Sequence, residues 1–238
     1  SHDDVEREKQ IIAAMKSQRV DGLIVSLSKH TKDYAHFQAL EKYNIPIVYF
    51  DRVPSLPNVN KVSFNMDSGT REAIQFLISK GHRRIGLLNG PEEMKSSRER
   101  IETFKQMLVK MRLKIDLSLV VNTDLTREST ERAMQQLLQL KPRPTAVLAM
   151  NDYVALDAIQ YVRRLGLATG KDIAFVSYAN LPITAYLQHP PMASVEQYPY
   201  EQGAKAASIL MNIIHHHNQD GPLPVQNIII DGKLVVHQ

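Results

Sequence analysis

The chain contains no cysteine, which excludes a disulfide framework, a thiolate metal site and cysteine nucleophile chemistry, and fits a reducing cytoplasm. It has little in the way of long apolar runs, far short of the twenty or so residues a bilayer span needs, so no membrane partner is expected. It lacks a block of like charge: the net charge is +4, but lysine and arginine are scattered. A mixed solvated surface is expected rather than a nucleic-acid groove. G-x-S-x-G, P-loop, G-x-G-x-x-G and H-E-x-x-H patterns are all missing, which leaves no signature of catalysis or of a bound cofactor. No signal-like apolar stretch follows Ser1, and the chain does not open on methionine, so its natural N-terminus is expected to be missing.

What is present is the composition of a protein with a substantial core: 238 residues, 43% hydrophobic and 23% charged. Apolar periodicity predicts a helix over 3–18, a strand over 22–26, a helix over 33–43 and a strand over 47–50. Pro54 and Pro57 make 53–60 a loop. A strand at 62–64 and a helix over 68–80 follow, with Gly81 placed to end that helix. The next strand, 85–88, empties through Gly90 and Pro91 into a helix running to residue 111. Further strands are predicted at 119–121, 145–150, 173–177 and 193–195, with helices at 127–140, 152–165 and 200–217. The tail reads as a hairpin of 225–230 and 234–236 turning at Asp231-Gly232. Repeated strand–helix units with nearly all-apolar strands predict an α/β fold with parallel sheets.

The C-terminal ends of parallel strands share one edge, so residues just after each strand converge. Here they include Ser26 and Ser28, Asp51 and Arg52, Asn65 and Asp67, Asn89, Asn151 and Asp152, and Tyr178 and Asn180. Amides, carboxylates, a guanidinium and an aromatic face suit a neutral polyhydroxylated ligand better than a phosphate. Single residues also have plainer explanations. Asp67, Asn151 and Asp152 suit helix N-caps, Asn180 suits a turn, and Arg98 or Arg100 could pair with Glu99 or Glu102. The histidines at 215–217 point in different directions on a helix and do not make a metal site. The basic run Lys80, His82, Arg83, Arg84 suits a helix C-terminus.

The stretches EREKQIIAAMKSQRVDGLIV, IPIVYFDR, KGHRRIGLLNGP, RERIETF, TAVLAMNDYVALDAI, KDIAFVSYAN and PPMASVEQYPYEQGAKAASILM, in this order, span nearly the whole chain. Together they resemble the effector-binding core of LacI-family transcriptional regulators, whose fold is that of type I periplasmic sugar-binding proteins. The resemblance implies two Rossmann-like subdomains joined by a multi-strand hinge, 1–81 with 196–220 and 82–195 with 221–238. Gly81, His82, Val195 and Gln197 would be hinge residues, with a third crossing in 221–226. It implies Arg100 as the ligand-clamping arginine, with Asp51, Asn151, Asn180, Asn89, Tyr178 and Ser26 as partners. It also implies a small-molecule effector of mono- or oligosaccharide type, a cytoplasmic homodimer, and operator DNA bound through a helix-turn-helix domain absent from this chain. The family's first strand, helix and strand would precede Ser1.

The sequence departs from the family pattern at Thr103 and Ser177, where glycine is usual, and at Ala179, where an acidic or small polar ligand residue is common. A free periplasmic sugar-binding protein of the same fold is the alternative reading. A sugar- or nucleotide-acting enzyme using Asp51 or Asp152 is a third.

Overall fold

The computed structural model describes residues 1–216 and 223–237. Its contacts divide the chain into two units, 1–64 with 198–230 and 65–197 with 231–238.

The first unit holds α1 (Val5–Ser17), β1 (Leu23–Val25), α2 (Ala35–Gln38), β2 (Ile47–Phe50), β3 (Asn60–Asn65, its last residue in the second unit), α7 (Pro199–His216) and β9 (Asn227–Asp231). Its sheet has the order β1-β2-β3-β9, with β1, β2 and β3 parallel. Strand alternation splits its core. Tyr49 packs with Ile12 of α1 and Phe37 of α2, while its neighbour Val48 packs with Ala206, Ile209 and Leu210 of α7. Gly22 allows this closeness, since a Cβ there would lie 2.6 Å from Leu210 Cδ1.

The second unit holds α3 (Met66–Ser79), β4 (Ile85–Asn89), α4 (Lys95–Lys110), β5 (Val120–Asn122), α5 (Arg127–Gln139), β6 (Ala146–Ala149), α6 (Asp152–Arg164), β7 (Ala174–Tyr178), β8 (Ala193–Glu196) and β10 (Lys233–Val236). The sheet order is β10-β8-β7-β6-β4-β5, parallel except for β10, which runs antiparallel to β8. Helices α5 and α6 cover one face through Met134, Leu137, Ala158 and Val162, and α3 and α4 pack on the strands from the other. With both faces covered, β4, β6 and β7 are buried along their whole lengths.

Helix boundaries follow local chemistry. Asn65 Oδ1 accepts from Ser68 N at 3.2 Å to start α3, and Asn151 Oδ1 accepts from Val154 N at 2.8 Å to start α6. At the end of α3, Gly81 N donates to Ile78 O and His82 N to Leu77 O, with Gly81 at φ 92°. Gly166 closes α6 with the same pair of bonds. The basic run after α3 is used locally: Arg83 Nη1 donates to Ile78 O at 2.7 Å and Arg84 Nε to Pro142 O at 2.6 Å.

Three expectations are corrected. The tail is not a hairpin: β9 joins β3 in one sheet and β10 joins β8 in the other. Each strand finds an open edge in a different sheet, which satisfies more backbone groups than pairing the two with each other. The helix expected over 33–43 is one turn, 35–38, then a 3₁₀ turn at 41–43 stopped by Asn44 at φ 54°. The first change of unit falls between Phe64 and Asn65 rather than after Gly81, because α3 packs against α4 and β8 of the second unit. Gly81, His82 and Val195 therefore lie inside the second unit, and Gln197 is the last residue before the chain returns to the first. The third change falls between Ile230 and Asp231. His217 and residues 221–222 of the expected third crossing lie outside the described residues.

Candidate ligand-binding site

In the second unit, three of the expected residues form one contact group. The Arg100 guanidinium lies 4.7 Å from the centre of the Tyr178 ring, a cation–π contact, and its Nη1 donates to Asn89 Oδ1 at 2.8 Å. Asn89 is oriented by its own amide, which donates to Ser97 O and Asn122 Oδ1, both at 3.2 Å. The Tyr178 hydroxyl is 2.7 Å from Thr70 Oγ1, which donates to Met66 O at 2.6 Å. Gly90 permits the loop after β4 to close here, since a Cβ would meet Met150 Sδ at 2.6 Å and Ser97 Oγ at 2.9 Å.

Arg100 is only 2% exposed and is one of the largest buried side chains among the described residues. Burial pushes its guanidinium down from the ordinary value, opposed by Tyr178, yet an arginine stays charged. Burial also raises Tyr178, with Arg100 and Thr70 acting the other way. Two buried polar atoms on the first turns of α4 have no hydrogen-bond partner, Arg100 Nε and Ser97 Oγ. Three residues apart, they lie on one helix face.

Asp152 is not the cap of α6; Asn151 is. The Asp152 carboxylate is fully buried. Its Oδ1 accepts from Ser177 Oγ and, at 2.6 Å, from Ser194 Oγ, while Oδ2 accepts from Leu181 N at 2.6 Å. It thus ties β7, β8 and the turn after β7 to the head of α6. Ser177, the first departure from the family pattern, is a donor to this carboxylate. Thr103, the second, donates from Oγ1 to Asp67 Oδ1 at 2.9 Å and links α4 to α3. Arg71 holds the Asp67 carboxyl below its ordinary value, against burial and with help from Thr103.

The turn after β7 is strained: Ala179 has φ 95° and Asn180 φ 51°, a region alanine rarely enters. Asn180 stands apart from the Arg100 group. Its Nδ2 donates to Glu196 Oε2 at 2.9 Å, and its Oδ1 is 3.2 Å from His237 Nε2. Asn151 spends its oxygen on the α6 cap. His82, one of the expected hinge residues, has Nδ1 3.0 Å from Thr145 Oγ1, and burial lowers its ring.

In the first unit, Ser26 and Asp51 do meet, with Ser26 Oγ donating to Asp51 Oδ2 at 3.3 Å. Asp51 follows β2 at φ 56°. The residue as a whole is exposed, while desolvation of its carboxyl group raises it above the ordinary value, with Arg52 and Ser26 opposing. Arg52 itself donates from Nη1 to Asp3 Oδ1 at 2.7 Å.

This fold has counterparts among known proteins. Residues 1–235 match the family of periplasmic binding proteins and the sugar-binding domain of the LacI family. The chain belongs to this family. Among its relatives, the HTH-type transcriptional repressor PurR of Aliivibrio salmonicida is 30% identical over 219 residues, covering 91% of this chain and 65% of that protein. Among solved structures, the transcriptional regulator CelR in complex with cellobiose is 29% identical with a TM-score of 0.85, covering 96% of this chain and 68% of that one. A LacI-family regulatory protein from Chloroflexus aggregans is 27% identical with a TM-score of 0.81, covering 99% and 81%. The chain thus spans about 65% of the length of the first of these relatives. No helix among the described residues is long and apolar enough to cross a membrane.

The residues that sequence reading missed as part of the site are those that hold it: Thr70 under Tyr178, Ser97 beside Arg100, and Ser177 and Ser194 on Asp152. Hydroxyls on buried strands and helices carry little local signal, because their partners lie far along the chain. The polar residue inside the all-apolar strand 173–177 was the one available hint.

Proposed function

We propose that this chain is the effector-binding core of a LacI-type, DNA-binding transcription regulator, and that its effector is a neutral polyhydroxylated molecule of mono- or oligosaccharide type. The observation that carries this reading is the pair of buried, unpartnered atoms on α4, Arg100 Nε and Ser97 Oγ. An unsatisfied buried polar atom costs roughly 1–3 kcal/mol, and a hydroxylated ligand supplies both an acceptor for the guanidinium and a partner for the serine. Arg100, Asn89, Tyr178, Asn151 and Asn180 are the proposed ligand residues of the second unit, and Ser26 and Asp51 are those proposed for the first. The relatives support the regulatory half of the reading, since PurR is a repressor and CelR a transcriptional regulator, the latter bound to cellobiose.

In the intact protein the effector acts by population shift, favouring whichever conformation binds it better. The response is read out by a helix-turn-helix domain carried by the rest of the polypeptide, in a cytoplasmic homodimer on operator DNA. Whether the ligand strengthens or weakens DNA binding follows from which arrangement the DNA-bound dimer prefers.

Thermal shift of the purified chain against monosaccharides, cellobiose and other oligosaccharides tests the ligand class. A ligand at 100 times its Kd raises stability by about 2.7 kcal/mol. If no sugar raises the melting temperature while a purine or a sugar phosphate does, the ligand class is wrong. Operator-shift assays on the full-length product test the regulatory half, and an export signal encoded upstream in place of a helix-turn-helix overturns it.

A further inference from the structure

We propose that Asp67, Thr70 and Thr103 are positioning residues for Arg100. One face of α3 holds the arginine from two sides, through the backbone of α4 and through the ring of Tyr178, and releasing either hold weakens effector binding. The inference rests on Arg100 being a ligand contact, as proposed above.

An arginine side chain carries about 2 kcal/mol of rotamer entropy, and a binding group serves only when its rotamer is locked by what surrounds it. Arg100 is bonded from Nη1 to Asn89 Oδ1 and lies against the Tyr178 ring, while its Nε has no partner. Where that Nε points is therefore set by the α4 backbone at one end and by the Tyr178 ring at the other. Both lead to α3. The Tyr178 hydroxyl is 2.7 Å from Oγ1 of the fully buried Thr70. Thr103, nearly one helical turn beyond Arg100 and also buried, donates from Oγ1 to Asp67 Oδ1 at 2.9 Å. Asp67 Oδ2 accepts from Arg71 Nε at 2.6 Å, and Arg71 Nη2 reaches back to α4 at Gln106 Oε1, 3.1 Å away. The Asp67–Arg71 pair is partly exposed, so as an ion pair it adds less than about 1 kcal/mol to the fold. What it fixes is the direction of the Asp67 carboxylate.

Helix α3 can serve as the frame because its start and its other face are anchored elsewhere. Asn65 Nδ2 donates to Asp231 Oδ1 at 2.6 Å, Gly232 N to Ser68 Oγ at 3.2 Å and Leu234 N to Glu72 Oε2 at 2.6 Å. Helical spacing separates the two sets: Asp67, Thr70 and Arg71 lie on one face, Ser68 and Glu72 on another. All of these residues belong to the second unit. The frame therefore does not depend on Arg100, and losing one hydroxyl from it leaves the helix anchored. The sequence marks the arrangement at Thr103, where glycine is usual in the family. Glycine brings no hydroxyl, so a chain with the usual residue cannot make this bond from α4 to Asp67.

The first readout needs no ligand. In the full chain labelled with ¹⁵N, the Arg100 Nε–H signal, assigned by its loss in Arg100→Lys, reports the surroundings of the guanidinium. It should move in Thr103→Val and in Thr70→Val, which remove a hydroxyl and keep the shape, and return to its place in Thr103→Ser. Thr130→Val is the structural control. Thr130 and Thr70 are both fully buried and both donate to the carbonyl four residues earlier, at 2.9 and 2.6 Å, but it is Thr70 that meets Tyr178. Thr130→Val should lower the melting temperature and leave the Arg100 signal where it is. An Arg100 signal that stays in place in Thr103→Val or in Thr70→Val, or that moves equally in Thr130→Val, overturns the proposal. With cellobiose and with ribose as titrants, Kd should rise about three- to tenfold in Thr103→Val and Thr70→Val, the range that one hydrogen bond supplies, and by less than about twofold in Thr103→Ser and Thr130→Val. An unchanged Kd beside a displaced Arg100 signal means that the hold is real and that Arg100 is not a ligand contact. If neither sugar binds, the signal still decides the hold, and the ligand class alone is wrong.

Discussion

The strand ends of the second unit and those of the first are made of similar residue types but are finished differently. In the second unit, Asp152 accepts from three donors, Asn89 uses both ends of its amide, and Arg100 is stacked on Tyr178 inside the protein. In the first, Asp51 has one long bond from Ser26, a left-handed backbone and solvent contact. The second unit therefore has its polar groups fixed by one another, while the first keeps a solvent-exposed carboxyl held by one long hydrogen bond. Preorganisation lowers the ordering cost of binding.

The largest test of this contrast is Asp152→Ala. It leaves Ser177, Ser194 and Leu181 N without their acceptor, and should cost about 3–5 kcal/mol in the unfolding transition of the second unit, read by chemical denaturation. A cost below 1 kcal/mol would mean that the network is loose and the contrast false.

Next is Arg100→Ala. A solvent-facing clamp could be truncated with little change in the unliganded protein. The burial of Arg100 against Tyr178 predicts instead a loss of about 2–4 kcal/mol together with loss of the ligand response. Arg100→Met keeps most of the volume, so it should recover much of the stability and none of the response, which separates packing from recognition.

Asp51→Asn should do the opposite in the first unit: unliganded stability rises at neutral pH while ligand response falls. The sign follows from linkage. Burial raises the folded carboxyl above its ordinary 3.8, so between those values the native state binds more protons than the unfolded state. Stability therefore falls as pH rises through the window above 3.8, and asparagine removes that slope. The gain should be present at pH 7 and vanish below about pH 3.8, measured as melting temperature against pH.

The smallest effect is a control. Helix α1 ends with Arg19 at φ 51° and α4 with Arg112 at φ 55°, each closed by the same two backbone bonds that Gly81 and Gly166 make. Arg19→Gly in the first unit and Arg112→Gly in the second should each stabilise by about 0.5 kcal/mol, by relieving a left-handed non-glycine residue. Equal gains would place the difference between the units at their polar strand ends and not in their helices.

The sequence by itself determined what depends on neighbours a few residues away. Apolar periodicity placed most helices and strands, Gly81 and Gly166 marked helix ends, Asn151 marked a cap, and seven stretches in order carried the family. It could not show that Arg100 is buried under Tyr178, that Asp152 leaves the cap to Asn151 and binds Ser177 and Ser194, that the tail strands part into two sheets, or that α3 belongs to the second unit. Each of these is a contact between residues far apart in the chain, and which distant partner a polar group takes is settled only when packing closes the sheets around it. The tertiary structure decided which polar groups are satisfied by one another and which, such as Arg100 Nε and Ser97 Oγ, are not.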